Sequence, residues 1–180
     1  DVINIVNGHP VSFEVFSDEF DIMEKQALQI ASWGENVYVK IPITNTRGED
    51  AGPLVRSLTH AGVKVNVTAL TTTKHVEHVA GFLADDTQSC VSVFAGRVAD
   101  TGRDPVPIMN ESVKILKAKP LAELIWASPR ELLNIFQAES IGCHIITVTN
   151  DILAKLPIIG KELNEYSLDT VKMFYRDAFQ

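Results

Sequence analysis

The chain has little cysteine, and its arrangement excludes a disulfide framework or a cysteine-built metal site. Only Cys90 and Cys143 occur among the 180 residues, and each lies within or beside an apolar run typical of a strand. Disulfide-stapled and zinc-binding domains instead carry several cysteines at short, regular spacings. We therefore predict two buried free thiols in a reducing compartment.

Long apolar segments are missing as well. No run approaches the roughly 20 apolar residues that a membrane-spanning helix requires, and the sequence does not open with the pattern of a signal peptide. We therefore expect a cytoplasmic protein without a membrane partner.

Positive charge is scarce relative to negative charge. The sequence has 16 Lys and Arg residues against 23 Asp and Glu residues, which gives a net charge of −7 and a pI near 5.2. This balance argues against a general binder of nucleic acid or of anionic membranes. Individual basic residues remain able to hold a phosphate group.

Glycine-rich nucleotide-binding motifs are absent, whereas strand and helix patterns alternate through the chain. Neither G-x-G-x-x-G nor G-x-x-x-x-G-K-(S/T) occurs, although a doubly wound nucleotide-binding domain would carry such a turn after an early strand. Apolar runs predict strands at residues 11–16, 36–43, 63–70, 89–96, 122–127 and 143–148. Helical patterns predict helices at residues 17–31, 52–61, 72–83, 107–117, 129–138, 150–156 and 168–179.

This alternation predicts an α/β protein with right-handed βαβ units on a parallel sheet. The polar residues that interrupt the strands lie in or near their carboxyl-terminal halves, where a (β/α)8 barrel builds its active site. We therefore predict a TIM (β/α)8 barrel, with about six of its eight βα units in a single domain over residues 1–180. Because complete barrels have eight strands, we expect two N-terminal βα units to be missing here, which leaves unpaired sheet edges.

Lys40 lies in the middle of a strand-like run over residues 37–43, Val-Tyr-Val-Lys-Ile-Pro-Ile. A lysine held inside such a strand loses hydration, so we expect its pKa to fall and its neutral amine to act as a Schiff-base nucleophile. The competing interpretation is a strand-end lysine whose side chain reaches water.

Polar residues on the neighbouring strands offer related chemistry. Glu14, within Ser-Phe-Glu-Val, can act as an acid or base, or it can simply face solvent at a strand end. Asn66 and Thr68 are two residues apart and share one strand face, where they can orient a water or a sugar hydroxyl. They can equally well bond to nearby backbone groups.

Two later segments suit a sugar or an anion. Ser92 and Phe94 share a strand face, and Arg97 follows that strand, where it can bind phosphate or form a surface ion pair. Residues 128–130, Ser-Pro-Arg, end another strand and open a predicted helix, so a hydroxyl, a guanidinium and first-turn N–H groups can form an anion site. The alternative is that Ser128 is only an N-cap followed by proline.

Five segments in register resemble the transaldolase family. Val-Tyr-Val-Lys-Ile-Pro around Lys40 is similar to the Schiff-base strand of the transaldolases and of their relative fructose-6-phosphate aldolase. Ser-Phe-Glu-Val resembles the strand of the transaldolase glutamate, and Asn-Val-Thr-Ala-Leu resembles its Asn-x-Thr strand. Ser-Val-Phe-Ala-Gly-Arg resembles the segment Ser-Pro-Phe-x-Gly-Arg, and Ala-Ser-Pro-Arg resembles the phosphate segment Ala-Ser-Phe-Arg. The resemblance extends from about residue 11 to the last predicted helix.

The resemblance implies a class I transaldolase of the pentose phosphate pathway, which needs no metal and no cofactor. Lys40 would form a Schiff base with a ketose phosphate, and Glu14 would move protons through a water that Thr68 helps to hold. The other implied contacts are Asn66, Ser92 and Phe94 for the substrate, and Arg97, Ser128 and Arg130 for its phosphate.

The resemblance also implies partners and an assembly. The partners would be sugar phosphates and not nucleic acid, and short family members form pentameric rings stacked into decamers, in which the C-terminal helix reaches a neighbour. The apolar residues of the predicted last helix fit such a homo-oligomer, and they equally fit a helix that packs on its own barrel.

Some positions bear on the subtype, and some depart from the family. Glu14 and Phe94 favour a transaldolase over a fructose-6-phosphate aldolase, which tends to carry glutamine and tyrosine there. Pro129 replaces an aromatic residue of the phosphate segment, and the family's first-strand aspartate and nearby asparagine cannot be assigned. Two alternatives stay open: an aldolase that releases free dihydroxyacetone, and a non-catalytic barrel remnant that binds phosphosugars without forming an imine.

Overall fold

The computed structural model describes residues 2–179, which form two compact units that divide between Thr147 and Val148. The larger unit contains the strands, and the smaller one is helical. The single domain expected over residues 1–180 stays a prediction.

The larger unit is built on one parallel sheet in which each strand pairs with the next one along the chain. The strands are β1 (Val11–Glu14), β2 (Val37–Pro42), β3 (Val65–Leu70), β4 (Ser89–Val93), β5 (Ala122–Trp126) and β6 (Ile145–Ile146). The sheet curls into a half-barrel, and within residues 2–179 its first and last strands do not pair with each other. The predicted α/β fold, part of a TIM barrel with about six βα units, is confirmed.

Helices alternate with these strands. They are α1 (Val2–Val6), α2 (Phe20–Ala31), α3 (Gly52–His60), α4 (Thr73–Ala80), α5 (Ala95–Asp100), α6 (Val106–Leu116) and α7 (Leu133–Ser140). The sequence pattern misses α1, and it extends the fourth strand over residues where the chain already turns into α5. Since Ala95, Gly96 and Val98 of α5 are buried, their apolar run is hard to tell from the end of a strand.

One face of the sheet, the helix-covered face (Val39, Val65, Val91 and Leu124), packs against the helices. Val39 lies opposite Val65 and Val91 lies opposite Leu124, so apolar side chains meet across the strands. All four are fully buried, in one core with helix residues such as Met23. Because burying one such side chain contributes roughly 1.5–3 kcal/mol, this face supplies most of the packing energy.

The opposite face, the open face (Ser12, Lys40, Asn66, Ser92 and Ile125), carries the alternate residues of the same strands. Lys40 lies opposite Asn66, and Ser92 lies opposite Ile125. The helices pack against the helix-covered face, whereas the polar residues of the strands lie on the open face.

The start of α2 differs from its prediction. The sequence pattern predicts a helix from residue 17, yet α2 begins at Phe20 and its N-cap residue is Glu19. Ser17 Oγ instead accepts a hydrogen bond from Glu19 N at 3.0 Å, within the turn that precedes the helix. A serine hydroxyl serves a turn as readily as a helix cap, so the residue type alone does not decide between them.

The smaller unit contains α8 (Asn150–Leu153), a 3-10 turn (Leu156–Ile158) and α9 (Leu163–Asp177). α9 begins five residues before the predicted position, because the Glu162 side chain accepts a hydrogen bond from Glu165 N at 3.0 Å and caps the helix. None of the helices within residues 2–179 is long and apolar enough to cross a membrane.

Candidate active site

The open face carries a pocket of about 630 Å3. Parallel register sets the side chains beside one another: Glu14 lies opposite Lys40, and Lys40 lies opposite Asn66. The predicted site residues that line the pocket are Lys40, Asn66, Thr68, Ser92, Phe94 and Ser128. Strand alternation therefore brings four of the nine predicted residues into one cavity, Phe94 and Ser128 line it from the segments after β4 and β5, and Glu14 does not line it.

Lys40 and Glu14 are in contact. Lys40 Nζ donates a hydrogen bond to Glu14 Oε2 at 3.4 Å, and the two groups form an ion pair. The side chain of Lys40 keeps 31% of its surface exposed, and that of Glu14 keeps 48%. Lys40 is therefore less buried than the apolar run around it predicts, and the contact places an amine and a carboxylate where a proton can pass between them.

A chain of hydrogen bonds connects three polar side chains of the open face. Ser92 Oγ donates to Asn66 Oδ1 at 2.7 Å, and Asn66 Nδ2 donates to Ser12 Oγ at 3.1 Å. Asn66 and Ser92 are buried. An amide nitrogen carries two N–H groups. Among the described residues, the second N–H of Asn66 Nδ2 has no acceptor, so it can donate a hydrogen bond to a ligand.

Thr68 presents a polar atom that the described residues leave unsatisfied. It is almost completely buried, and its Oγ1 atom has no hydrogen-bond partner within residues 2–179. An unpaired buried hydroxyl costs about 1–3 kcal/mol, so this atom is suited to bind a water or a substrate oxygen in the pocket that it lines.

A backbone irregularity follows Thr68. Ala69 has a φ of +67°, and the register of β3 against β4 shifts between Val67 and Leu70. A left-handed conformation at a residue other than glycine costs roughly 1–2 kcal/mol, and bulges of this kind redirect side chains near functional sites. The bulge therefore fixes the direction of the backbone at the end of β3, beside the pocket.

Arg97 does not line this pocket. It lies on α5, with its guanidinium carbon 5.5 Å from the centre of the Phe94 ring. Phe94 does line the pocket, so Arg97 lies at its border. The side chain of Arg97 lines a second, smaller cavity instead.

The segment after β5 lacks the helix N-terminus that its sequence predicts. α7 begins at Leu133, and Ser128 has a left-handed backbone with a φ of +57°. The prediction of a helix from residue 129 is therefore wrong, so neither an anion site that uses its first-turn N–H groups at residues 128–130 nor the alternative of Ser128 as its N-cap has the helix start on which it depends. Asn134 Oδ1 accepts hydrogen bonds from the backbone N–H groups of Arg130 and Glu131 at 2.7 and 3.1 Å, which holds these residues in a turn before the helix.

This segment packs closely on α5. A Cβ atom on Gly96 would lie 1.5 Å from the Ser128 carbonyl oxygen, so no side chain fits at that position. Arg130 reaches α5 as well, where Nε donates to Asp100 Oδ1 at 3.0 Å and Nη2 donates to Asp100 Oδ2 at 2.5 Å. The charge of Arg130 is thus balanced by Asp100, and Arg130 is not among the residues that line the pocket.

The pocket also has lining residues that the sequence argument did not select, among them Ser12, Tyr38, Cys90 and Thr147. The two-residue repeat of a strand indicates Ser12 and Tyr38, because each precedes a predicted site residue by two positions on the same strand. Thr147 follows a strand of only two residues, which is too short to show an alternation.

Both cysteines are free thiols, as predicted. Cys90 is buried, and its burial raises the pKa of the thiol to about 12. Cys143 is only half-buried, although burial raises its pKa as well, so the prediction of burial holds fully for Cys90 alone. In the part of the chain that the structure describes, no group of three or more His, Cys, Asp or Glu side chains is placed to hold a metal ion.

Comparison with known proteins identifies the family. The family described as Transaldolase/Fructose-6-phosphate aldolase matches residues 1–180. A "Probable transaldolase 2" of Listeria monocytogenes is 34% identical over 174 residues, which cover 94% of this chain and 75% of that protein. A "Probable transaldolase" of Desulforamulus reducens is 32% identical over 177 residues, which cover 96% and 78% respectively.

One solved structure that resembles this chain is more distant in sequence. The crystal structure of orotidine 5'-phosphate decarboxylase from Lactobacillus acidophilus has a TM-score of 0.49 and 14% identity, over 76% of this chain and 60% of that one. A likeness at this level carries no argument. The family match over residues 1–180 and the relatives of more than 30% identity show that this chain belongs to the transaldolase/fructose-6-phosphate aldolase family of enzymes.

Proposed function

We propose that this protein is a transaldolase, which transfers a dihydroxyacetone unit from a ketose phosphate to an aldose phosphate through a Schiff base on Lys40. The observation that carries the proposal is the 3.4 Å contact between the amine of Lys40, which lines the larger pocket, and the Glu14 carboxylate. The names of the relatives, probable transaldolases of two bacteria, support the same activity.

Lys40 begins the proposed reaction. Glu14 accepts the proton that the Lys40 ammonium gives up, and the neutral amine attacks the carbonyl carbon of a ketose phosphate such as sedoheptulose 7-phosphate or fructose 6-phosphate. The resulting carbinolamine takes a proton back and loses water, which leaves a protonated imine. A water held by Thr68 Oγ1 would relay these protons, since that atom is buried and has no partner among the described residues.

The carbon–carbon bond that then breaks joins the carbon next to the imine carbon to the following, hydroxyl-bearing carbon. Its electron pair moves into the protonated imine to form an enamine, and the hydroxyl of the departing carbon gives up its proton as it becomes the aldehyde of an aldose phosphate. The enamine attacks the aldehyde carbon of a second aldose phosphate, whose oxygen takes up a proton. Hydrolysis of the new imine releases the product ketose phosphate and free Lys40.

The remaining predicted residues would bind substrate. The unused N–H of Asn66 and the hydroxyl of Ser92 suit the hydroxyls of the three-carbon unit, and the Phe94 ring would cover the sugar carbons. The proposed phosphate contacts are Arg97, Ser128 and Arg130. Because Asp100 holds Arg130, that guanidinium would have to bind phosphate with its remaining N–H groups.

Chemical trapping tests the Schiff base. Fructose 6-phosphate is added to the full chain with sodium borohydride, and the intact mass and peptide map are measured. We expect a three-carbon adduct on Lys40, none in Lys40→Arg, and an unchanged yield in Lys64→Arg, which keeps the cation near the Tyr38 ring. If the wild-type protein gains no adduct on Lys40, the proposed reaction is wrong.

A transfer assay separates the alternatives. With fructose 6-phosphate as donor, we expect a new ketose phosphate to form only when an aldose phosphate acceptor is present. Rapid release of dihydroxyacetone without an acceptor would show an aldolase instead. Binding of the sugar phosphate without any trapped adduct would show a non-catalytic phosphosugar-binding protein.

The setting of this reaction is part of the proposal. We infer a pentose phosphate pathway enzyme of the cytoplasm that binds sugar phosphates, without a nucleic-acid or membrane partner, and that forms a pentamer or decamer. The exposed apolar side chains of α9, such as Val171 and Phe174, support an assembly. Light scattering on the eluted full chain measures the mass of the particle, and a monomer would exclude the assembly.

A further inference from the structure

A second cavity, of about 480 Å3, adjoins the border of the larger pocket. Its polar lining consists of Thr71, Thr72, Arg97, Thr101 and Arg103, and none of its lining residues is acidic. Thr71 and Thr72 follow β3, and Arg97 lies on the helix after β4, so the cavity lies at the carboxyl edge of the sheet. Thr68, which lines the larger pocket, lies near the same end of β3.

The two arginines of this cavity have no carboxylate partner within 4 Å in the described residues, whereas Arg47 and Arg130 each have one or more. Arg97 stacks on Phe94, and Arg103 Nη1 donates to Thr101 Oγ1 at 2.8 Å. Both contacts hold a guanidinium in place without balancing its charge. An anion between the two would gain charge-assisted hydrogen bonds from both of them.

A threonine adds an uncharged donor. Thr72 Oγ1 accepts a hydrogen bond from His75 N at 3.2 Å, which leaves its own O–H free to donate toward the cavity. Thr101 Oγ1 already donates to Val98 O at 2.7 Å and accepts from Arg103. The residues that line the cavity thus carry two guanidinium groups and one free hydroxyl, a set of donors that suits the three oxygens of a phosphate.

We propose that this cavity binds a phosphate group, with Arg103 and Thr72 as ligands beside Arg97. Asp100 balances the charge of Arg130, so the uncompensated arginine that shares a cavity with Arg97 is Arg103. The phosphate is either that of the sugar substrate or a separate phosphate. The first of these sources rests on the proposed function, whereas the site itself does not.

Direct binding tests the site. Inorganic phosphate is titrated into the full chain by calorimetry at constant ionic strength, with wild type, Arg103→Gln and Arg176→Gln. Losing a charge-assisted hydrogen bond of about 1.5–3 kcal/mol predicts a Kd roughly 10–150 times higher in Arg103→Gln. Arg176→Gln removes the same charge from α9 and should leave Kd unchanged. Thr72→Val should weaken binding less than Arg103→Gln, because it removes a neutral donor.

Three results would overturn the site. The first is no phosphate binding by the wild type, and the second is binding by Arg103→Gln that is as tight as wild type. The third is an equal loss in Arg176→Gln, which would mean that only the net charge matters. Thermal unfolding of each variant checks that it is folded, and Arg103 and Arg176 are both exposed.

Borohydride trapping on Lys40 separates the sources of the phosphate. If the substrate's phosphate occupies the cavity, Arg103→Gln raises the fructose 6-phosphate concentration for half-maximal trapping and leaves that for unphosphorylated dihydroxyacetone unchanged. If both trapping curves are unchanged while the Kd for inorganic phosphate rises, the cavity takes a separate phosphate. A chain that shows Arg103-dependent phosphate binding but no adduct on Lys40 would retain this site while the proposed reaction fails.

Discussion

The two faces of the half-barrel are built from the same strands and differ in almost every other respect. The helix-covered face is a continuous apolar core whose strand side chains are fully buried. The open face presents hydroxyl, amide and amine groups around a pocket of about 630 Å3, and the Glu14 carboxylate contacts the amine of Lys40. Adjacent residues of one strand, such as Val39 and Lys40, thus belong to opposite environments, because side chains alternate along a strand. Residues that stabilise the fold therefore alternate with residues suited to chemistry along the same strand.

The open face itself is not uniform. Tyr38, Cys90, Ile125 and Ala127 form a small buried cluster on it. Cys90 lies opposite Asn66 in the register of β3 and β4, and Tyr38 precedes Lys40 by two residues. A small buried apolar layer therefore adjoins the polar groups of the same face.

The largest difference between the faces should appear in Lys40→Arg. A guanidinium keeps the charge next to Glu14 but cannot form the imine, so we expect turnover to fall by at least about 10^3-fold. The free energy of unfolding should change by less than about 0.5 kcal/mol, because the Lys40–Glu14 pair is partly exposed. A coupled transfer assay and urea unfolding measure the two effects. Lys64→Arg is the matched control, and a loss of activity in both variants would contradict the assignment.

The reverse outcome is expected for Leu124→Ala on the helix-covered face. Leu124 is fully buried, so truncation should lower the free energy of unfolding by roughly 2–5 kcal/mol. The activity per folded molecule should not change, since this side chain faces away from the pocket. Urea unfolding and an assay well below the melting temperature measure both quantities.

Leu121→Ala is the control for that variant. Leu121 is 39% exposed just before the same strand, so its truncation should cost no more than about 1 kcal/mol. If folded Leu124→Ala lost activity in proportion to its stability, the two faces would not be separable.

Ser12→Ala should have a smaller effect, confined to the open face. Without Ser12 Oγ, the amide of Asn66 loses the acceptor that holds it at 3.1 Å. We expect KM to rise about five-fold, which corresponds to one hydrogen bond of about 1 kcal/mol, while kcat changes less. Steady-state kinetics measure both constants. Ser140→Ala, whose hydroxyl bonds to its own helix at 2.8 Å, is the control. An unchanged KM in Ser12→Ala would show that Asn66 needs no such support.

A further prediction concerns Cys90 and tests whether the apolar layer of the open face excludes water. A pKa of about 12 leaves roughly one thiolate in 10^4 at pH 8, against about one in four for a thiol with an ordinary pKa near 8.5. The folded chain should therefore react with iodoacetamide at Cys90 about 10^3-fold more slowly than the chain in urea. Peptide mass spectrometry over time measures the rates. Fast labelling of the folded chain would place water in this layer.

The sequence predicted the strands, and four of the strand residues that it selected line the pocket, because both features depend on short-range alternation. All six predicted strand segments contain an observed strand. Polar residues selected at strand positions, such as Lys40, Asn66 and Ser92, lie on one face because period two requires it. The same rule, applied two residues earlier, would also have found Ser12 and Tyr38.

The phosphate segments could not be predicted in the same way. Ser128 and Pro129 carry the residue types of a helix start, yet the helix begins later and Ser128 adopts a left-handed backbone. Arg130 is bound by Asp100, thirty residues earlier in the chain, and Arg97 turns to a different cavity. Each outcome depends on how two loops pack, and a local pattern of residue types does not contain that information.

The sequence by itself determined the alternation of strands and helices, the strand face that the polar residues share and the placement of Lys40 among them. Backbone geometry fixes these features, because a strand repeats every two residues whatever surrounds it. Only the tertiary structure decided which charges are compensated: Lys40 by Glu14, Arg130 by Asp100, and Arg97 by no carboxylate among the described residues. Charge compensation depends on distances of a few ångströms between residues far apart in the chain, and those distances exist only once the sheet has curled and its loops have packed.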